Sequence, residues 1–165
     1  MQHFYKLMPS PVGTLKLIAS DRGLAAVLWE NEDPKRYRLP DLLQQGTHPV
    51  LLETERQLAE YFAGKRKVFT LALDFVGTEF QKKVWAALVA IPFGETRSYS
   101  EIAREIGHPA AVRAVGAANG KNPISIIAPC HRVIGANGKL TGFAGGLEAK
   151  AILLNIEAPE EFRLA

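Results

Sequence analysis

The segment from Thr78 to Asn119 constrains the fold most, because its polar residues mark where helices begin and end. Thr78-Glu79-Phe80-Gln81 is a capping box: the threonine hydroxyl can cover the amide three residues on, and the glutamine can reach back. Phe80, Val84, Leu88 and Ile91 then recur on one helical face, and Phe93-Gly94-Glu95-Thr96 closes the run. Ser98-Tyr99-Ser100-Glu101 is a second capping box, opening a short helix through Ile106. Gly107-His108-Pro109 reads as a tight turn. Pro109 suits the first turn of a further helix, read as Ala110–Asn119 and stopped by Gly120. Two helices joined by a three-residue, glycine-containing turn are the helix-turn-helix pattern.

The second of these helices is unusual. In a DNA-binding version it would sit in a groove, yet Ala110, Ala111, Val112, Ala114, Val115, Gly116, Ala117 and Ala118 are small or apolar. Only Arg113 and Asn119 could read a base edge, which argues against a sequence-reading transcription factor. The small side chains serve either close helix packing or a close approach to a partner. Charge favours a polyanion. From Phe80 to Gly145 there are eight bases and three acids, a local +5 in a chain whose net charge is +3, which leaves −2 for the rest. A solvated basic face would explain the charge equally well.

Upstream, Phe4–Met8, Thr14–Ala19 and Leu24–Trp29 read as antiparallel strands joined by turns at Pro9–Gly13 and Asp21–Gly23. Residues 31–49 read as a long surface connection. A helix is expected from Val50 to Ala63, with Leu51, Thr54, Leu58, Tyr61 and Phe62 on one face and Gly64 as its C-terminal glycine. Val68–Leu73 reads as one more strand, and Leu147–Ile156 as a last helix. The expected class is α+β with two domains. Residues 1–77 form a small antiparallel sheet with a helix, and residues 78–165 a mostly helical, helix-turn-helix domain.

No apolar run approaches the roughly 20 residues that span a bilayer, and the N-terminal residues lack an export signal. A cytoplasmic protein is expected. The chain has one cysteine, Cys130, which excludes an internal disulfide and any multi-cysteine zinc site.

Cys130 stands in Pro129-Cys130-His131-Arg132. A lone cysteine is usually an inert small hydrophobe, but the thiolate is a nucleophile that a neighbouring base or cation promotes. Adjacent side chains of an extended chain point apart, so a water relay with His131 as base is the expected arrangement. A third group should orient the imidazole. Glu157 and Glu148 are both candidates. Gly135–Gly146 holds five glycines in twelve residues, with Phe143 among them. Such a stretch can let backbone approach a flat ring, or it can be two ordinary surface turns.

These residues resemble the methylated-DNA–protein-cysteine methyltransferases, the O6-alkylguanine-DNA alkyltransferases. The likeness rests on Pro129-Cys130-His131-Arg132-Val133-Ile134, on Asn122-Pro123 eight and seven residues before the cysteine, on Arg113-Ala114-Val115-Gly116, and on Thr141-Gly142-Phe143-Ala144-Gly145-Gly146. It is strong from Thr78 to Glu157 and weaker over the N-terminal domain, which it implies to be ribonuclease H-like. The length is similar to that of a bacterial constitutive, single-function member.

The resemblance implies direct, irreversible transfer of the alkyl group from O6-alkylguanine in duplex DNA to Cys130, once per molecule, with O4-alkylthymine as a second candidate lesion. His131 would act through water, oriented by Glu157, with Asn122 helping to hold the site. Arg113 would enter the duplex in place of the flipped nucleotide. Tyr99 would press on a phosphate and bond the flipped base. Val133, Phe143, Ala144 and Gly145 would line the guanine pocket. It further implies a monomer that can bind DNA cooperatively, with no cofactor and no membrane partner. Some relatives carry zinc in the N-terminal domain; without the cysteines, no metal is expected. Two positions depart from the pattern. Phe143 stands where many members have tyrosine, and Asn119 where some have a bulkier apolar residue. Other readings are a non-catalytic lesion-binding module, which would lack the cysteine, and a cysteine hydrolase, which would leave the helix-turn-helix unused.

Overall fold

The computed structural model describes residues 2–31, 42–44, 46–135, 143 and 145–158. Contacts divide the chain into two compact units, Met1–Val76 and Gly77–Ala165.

The first unit is a sheet with one helix against it. Strands β1 (His3–Met8), β2 (Leu15–Ser20) and β3 (Gly23–Leu28) pair antiparallel in sequence order. A fourth strand, β4 (Leu42–Gln44), adds in parallel beside β1, so the sheet order is β3-β2-β1-β4 and the sheet is mixed rather than wholly antiparallel. β3 is buried at every position, and β2 at all but Lys16. Gly23 is required where the β2–β3 turn meets a neighbouring segment: it has φ +149, and a Cβ there would lie 2.5 Å from the Ala72 carbonyl oxygen.

Helix α1 (Pro49–Phe62) buries Leu51, Thr54, Gln57, Leu58 and Tyr61. Its start is capped by the His48 ring, whose Nδ1 accepts from the Val50 amide at 3.2 Å, and Pro49 occupies the first helical position. Its end is a Schellman motif: Gly64 at φ +75 donates to the Tyr61 carbonyl, and Lys65 to that of Glu60.

The strand expected over Val68–Leu73 is not formed. The Gln57 amide group accepts from the Thr70 amide (2.9 Å) and donates to its hydroxyl (3.0 Å), which takes that backbone out of ladder pairing. Only an isolated parallel bridge between Leu73 and Leu24 remains.

In the second unit both capping boxes form as written in the sequence. They open α2 (Glu79–Val89) and α3 (Tyr99–Glu105). Helix α4 (Val112–Gly120) begins two residues later than expected. Pro109 lies instead in a turn closed by the Ala111 amide on the His108 carbonyl, and Ala111 offers no capping side chain. The connection between the two helices of the helix-turn-helix is therefore longer than three residues. The buried indole of Trp85 donates to the Ala118 carbonyl at 2.8 Å, tying α2 to the C-terminal half of α4. Helix α5 (Leu147–Glu157) completes the unit. Two short strands, β5 (Arg97–Ser98) and β6 (Val133–Ile134), pair in parallel. That pairing sets the start of α3 beside the residues that follow Cys130. Among the described residues no helix is long and apolar enough to cross a membrane.

Candidate active site

The loop into Cys130 is shaped by Asn122. Its side chain, 1 % exposed, donates to the Ala128 carbonyl (2.8 Å) and accepts from the Ile124 amide (3.1 Å). Within that clamp Ile126 adopts φ +74, a left-handed conformation rare for a β-branched residue. The loop ends in a single 3-10 turn, Cys130–Arg132. The extended backbone expected here is therefore replaced by a turn, which fans successive side chains around an axis instead of alternating them. Cys130 is buried and its thiol is not in a disulfide.

The two side chains after it converge on α5. His131 Nε2 lies 2.7 Å from Glu157 Oε2, both groups buried. Arg132 donates from Nε to Oε1 (2.8 Å) and from Nη2 to Oε2 (3.1 Å) of the same carboxylate. Of Glu157 and Glu148, it is Glu157, the last residue of α5, that meets the ring, while Glu148, in the first turn, is exposed. Arg132, which the sequence sets beside the thiol, directs its guanidinium to Glu157.

Hydrogen bonds to His131 and Arg132 hold the Glu157 carboxyl down at about 2, against the burial that would raise it. His131 moves the other way. Burial, its largest influence, lowers its pKa from 6.5, with Glu157 opposing and Arg132 and Lys150 assisting. The ring is thus a neutral imidazole whose Nε2–H is donated to an ionised carboxylate. That leaves Nδ1, buried and without a hydrogen-bond partner among the described residues, as the nitrogen with the lone pair.

Lys150 was not foreseen. It is completely buried on α5 and donates to the Val133 carbonyl at 2.7 Å. Its Nζ is 5.8 Å from the Phe143 ring centroid. Burial lowers its pKa from 10.5 to about 8, and the charge of nearby Cys130 opposes that fall. A signal was available in the sequence: Lys150 interrupts Ala149-Ala151-Ile152-Leu153-Leu154 on a helix whose neighbouring positions are apolar.

The remaining candidates are carried by β6, α3, α4 and the residues before α5. Val133 is buried in β6, next to the turn. Tyr99 is the first residue of α3, half-buried, and a Cβ on Gly116 of α4 would meet its ring at 3.9 Å. Phe143 and Gly145 are half-buried, and Ala144 lies outside the described residues. Arg113, Ala114, Ala117 and Gly120 are the exposed positions of α4, while Val115, Ala118 and Asn119 are buried. The exposed face of this helix therefore carries small side chains and one arginine.

Residues 79–159 match the family model described as the 6-O-methylguanine DNA methyltransferase DNA binding domain, and residues 3–75 that of its ribonuclease-like domain. A methylated-DNA–protein-cysteine methyltransferase of Methanosarcina acetivorans is 51 % identical over 154 residues, covering 93 % of this chain and 97 % of that protein. One from Mycobacterium bovis is 48 % identical over 166 residues, covering 97 % of each. The Mycobacterium tuberculosis OGT crystal structure in complex with DNA superposes with a TM-score of 0.86 at 45 % identity, covering 96 % of each chain. The buried cysteine, histidine and glutamate thus sit in a chain that belongs to the methylated-DNA–protein-cysteine methyltransferase family.

Proposed function

We propose that this chain repairs duplex DNA by moving the alkyl group of O6-alkylguanine onto Cys130, irreversibly and once per molecule. The observation that carries the proposal is the convergence on Glu157 of His131 and Arg132, which share a turn with the buried thiol of Cys130, within the unit that matches the family's DNA-binding domain.

His131 Nδ1 takes the thiol proton through a water, and the imidazolium so formed is held by Glu157. The Cys130 sulfur attacks the alkyl carbon in line. The new S–C bond forms as the C–O6 bond breaks, and the electron pair returns to guanine. The proton lost by the thiol is the proton that guanine gains, with His131 and the Tyr99 hydroxyl as its carriers. The product is a thioether, and none of the groups around Cys130 activates water to cleave it.

The lesion oxygen is inside the base stack, so the nucleotide must leave the duplex, at a cost of a few kcal/mol that a mispairing lesion reduces. Arg113 takes the vacated place, and the small exposed face of α4 lets the helix press into the groove. Tyr99 contacts the phosphate of the flipped nucleotide and its base. Val133, Phe143 and Gly145 line the pocket, and Asn122 keeps the loop in shape. Residues 78–165 form the acceptor and DNA-binding domain on this reading, and residues 1–77 the N-terminal domain. The named groups all lie in one chain, so a monomer suffices. A reducing cytosol suits a protein whose single thiol must stay free.

The test is incubation with duplex carrying one O6-methylguanine, followed by proteolysis and mass analysis. A gain of one methylene on the peptide containing Cys130 is expected. Binding with no gain would instead support a non-catalytic lesion sensor.

A further inference from the structure

We infer that Arg132 is a positioning residue for alkyl transfer: its guanidinium fixes the Glu157 carboxylate and offsets its charge, so that His131 waits as a neutral base. The inference rests on the reading of His131 as the base for Cys130.

The argument begins with the carboxylate, of which only 1 % of the side chain is exposed. Oε1 accepts from Arg132 Nε at 2.8 Å. Oε2 is shared, accepting from Arg132 Nη2 at 3.1 Å and from His131 Nε2 at 2.7 Å. The third corner of the guanidinium, Nη1, donates to the Ile91 carbonyl at 2.5 Å, and its carbon lies 5.8 Å from the Phe93 ring centroid. Each of the three guanidinium nitrogens therefore donates, and a lysine could not reproduce it.

A plain structural ion pair would not share an oxygen with the base. Here Oε2 does, so whatever sets its charge acts on His131. The charged groups acting on that ring are Glu157 and Lys150 from α5 and Arg132 from its own turn; Cys130, which precedes it in that turn, acts on Lys150. Without Arg132, the imidazole would meet an uncompensated buried carboxylate and draw a proton from solvent. An imidazolium cannot accept the thiol proton. With Arg132 in place the carboxylate is offset, Nε2–H points to Oε2, and Nδ1 keeps its lone pair. Glu157 also ends α5, where the helix dipole disfavours an anion, so a cation at this point serves both groups.

The test is the rate of Cys130 benzylation by free O6-benzylguanine against pH, which needs no DNA. Arg132→Met should move the acidic limb of the profile upward by about 1.5 to 2.5 pH units, the effect of one charge roughly 5 to 8 Å away at an effective dielectric of about 20. In Arg132→Met/Glu157→Gln that rise should vanish, because both charges are gone. Arg132→Lys keeps the charge without the fork, and should show the wild-type limb with a slower plateau. It decides the matter if Arg132→Met does not fold. A lowered plateau with an unmoved limb in Arg132→Met, or a lysine variant equal to wild type in both limb and plateau, would overturn the role. Failure of the wild-type chain to become benzylated on Cys130 would overturn the reading of the base itself.

Discussion

Replacing Glu157 with glutamine removes one charge and little volume from the most connected side chain of the site. In the folded chain this carboxyl titrates at about 2 rather than 4.5. A folded-state pKa below the unfolded one gives stability that is fully present above 4.5 and is lost as pH falls toward 2. The difference corresponds to about 3 kcal/mol at neutral pH, of which roughly 2 kcal/mol is gone by pH 3. The substitution also strands the Arg132 guanidinium, itself 6 % exposed, and leaving a buried charge without its partner costs about 3–5 kcal/mol. Glu157→Gln should therefore be less stable at pH 7 by an amount in that range, and should lose less on acidification than the parent. Glu53 and Glu101 also have lowered pKa values, but they act equally in both proteins, and making the comparison in a His131→Gln background removes the titration that is coupled to Glu157. Urea unfolding followed by Trp85 fluorescence, in a Trp29→Phe background, reports the unit that holds the site. Parallel loss of stability by the two proteins between pH 7 and pH 3 would refute the reasoning.

Four further outcomes are expected. Cys130→Ser should bind methylated duplex almost as well as the parent yet transfer nothing, since serine is not ionised at neutral pH; product analysis alongside a binding isotherm checks this. Arg113→Ala should slow repair of duplex far more than reaction with free O6-benzylguanine, because only the duplex requires flipping, and equal loss on both would assign Arg113 to the fold instead. Lys150 has a lowered pKa, so the unfolded chain binds its proton more readily between about 8 and 10.5, and the parent should gain stability over that range; urea melts of Lys150→Met should show no such gain. Duplex affinity should fall with salt, log K declining by about 0.9 per phosphate contact for each decade of salt, and an affinity flat between low and physiological salt would exclude docking through phosphates.

What the sequence reveals of this molecule follows the range of the interaction. Both capping boxes are complete within four residues, and the buried face of α1 repeats within one helix; such features are legible because sequence neighbours are their partners. β4 is not. It is three residues in a polar stretch, and it exists because β1, far upstream, offers a free edge. The start of α4 was misplaced because Pro109 suits a turn as well as a first helical turn, and packing decided between them. At the site, Cys130 and His131 are visible as a pair, whereas Glu157 is 26 residues from His131 and only the family resemblance, not the residues alone, names it over Glu148. Arg132 was visible but assigned by adjacency to the thiol, and adjacency in a 3-10 turn does not mean a shared direction. Lys150 leaves a trace in the apolar residues around it, but a lone charge in a helix ordinarily lies on the solvent side, so the trace alone does not bury it.

The central claim is that Cys130 is consumed by a single transfer, and a titration tests it most directly. A fixed amount of protein is mixed with excess duplex containing O6-methylguanine, and the remaining lesion is followed to completion. A thioether on Cys130 predicts a plateau at one lesion removed per protein molecule, each protein heavier by one methylene on the peptide that holds Cys130. A cysteine hydrolase using the same pair would pass through an intermediate that water can open, so it would turn over. Continued loss of lesion beyond several equivalents would contradict the account.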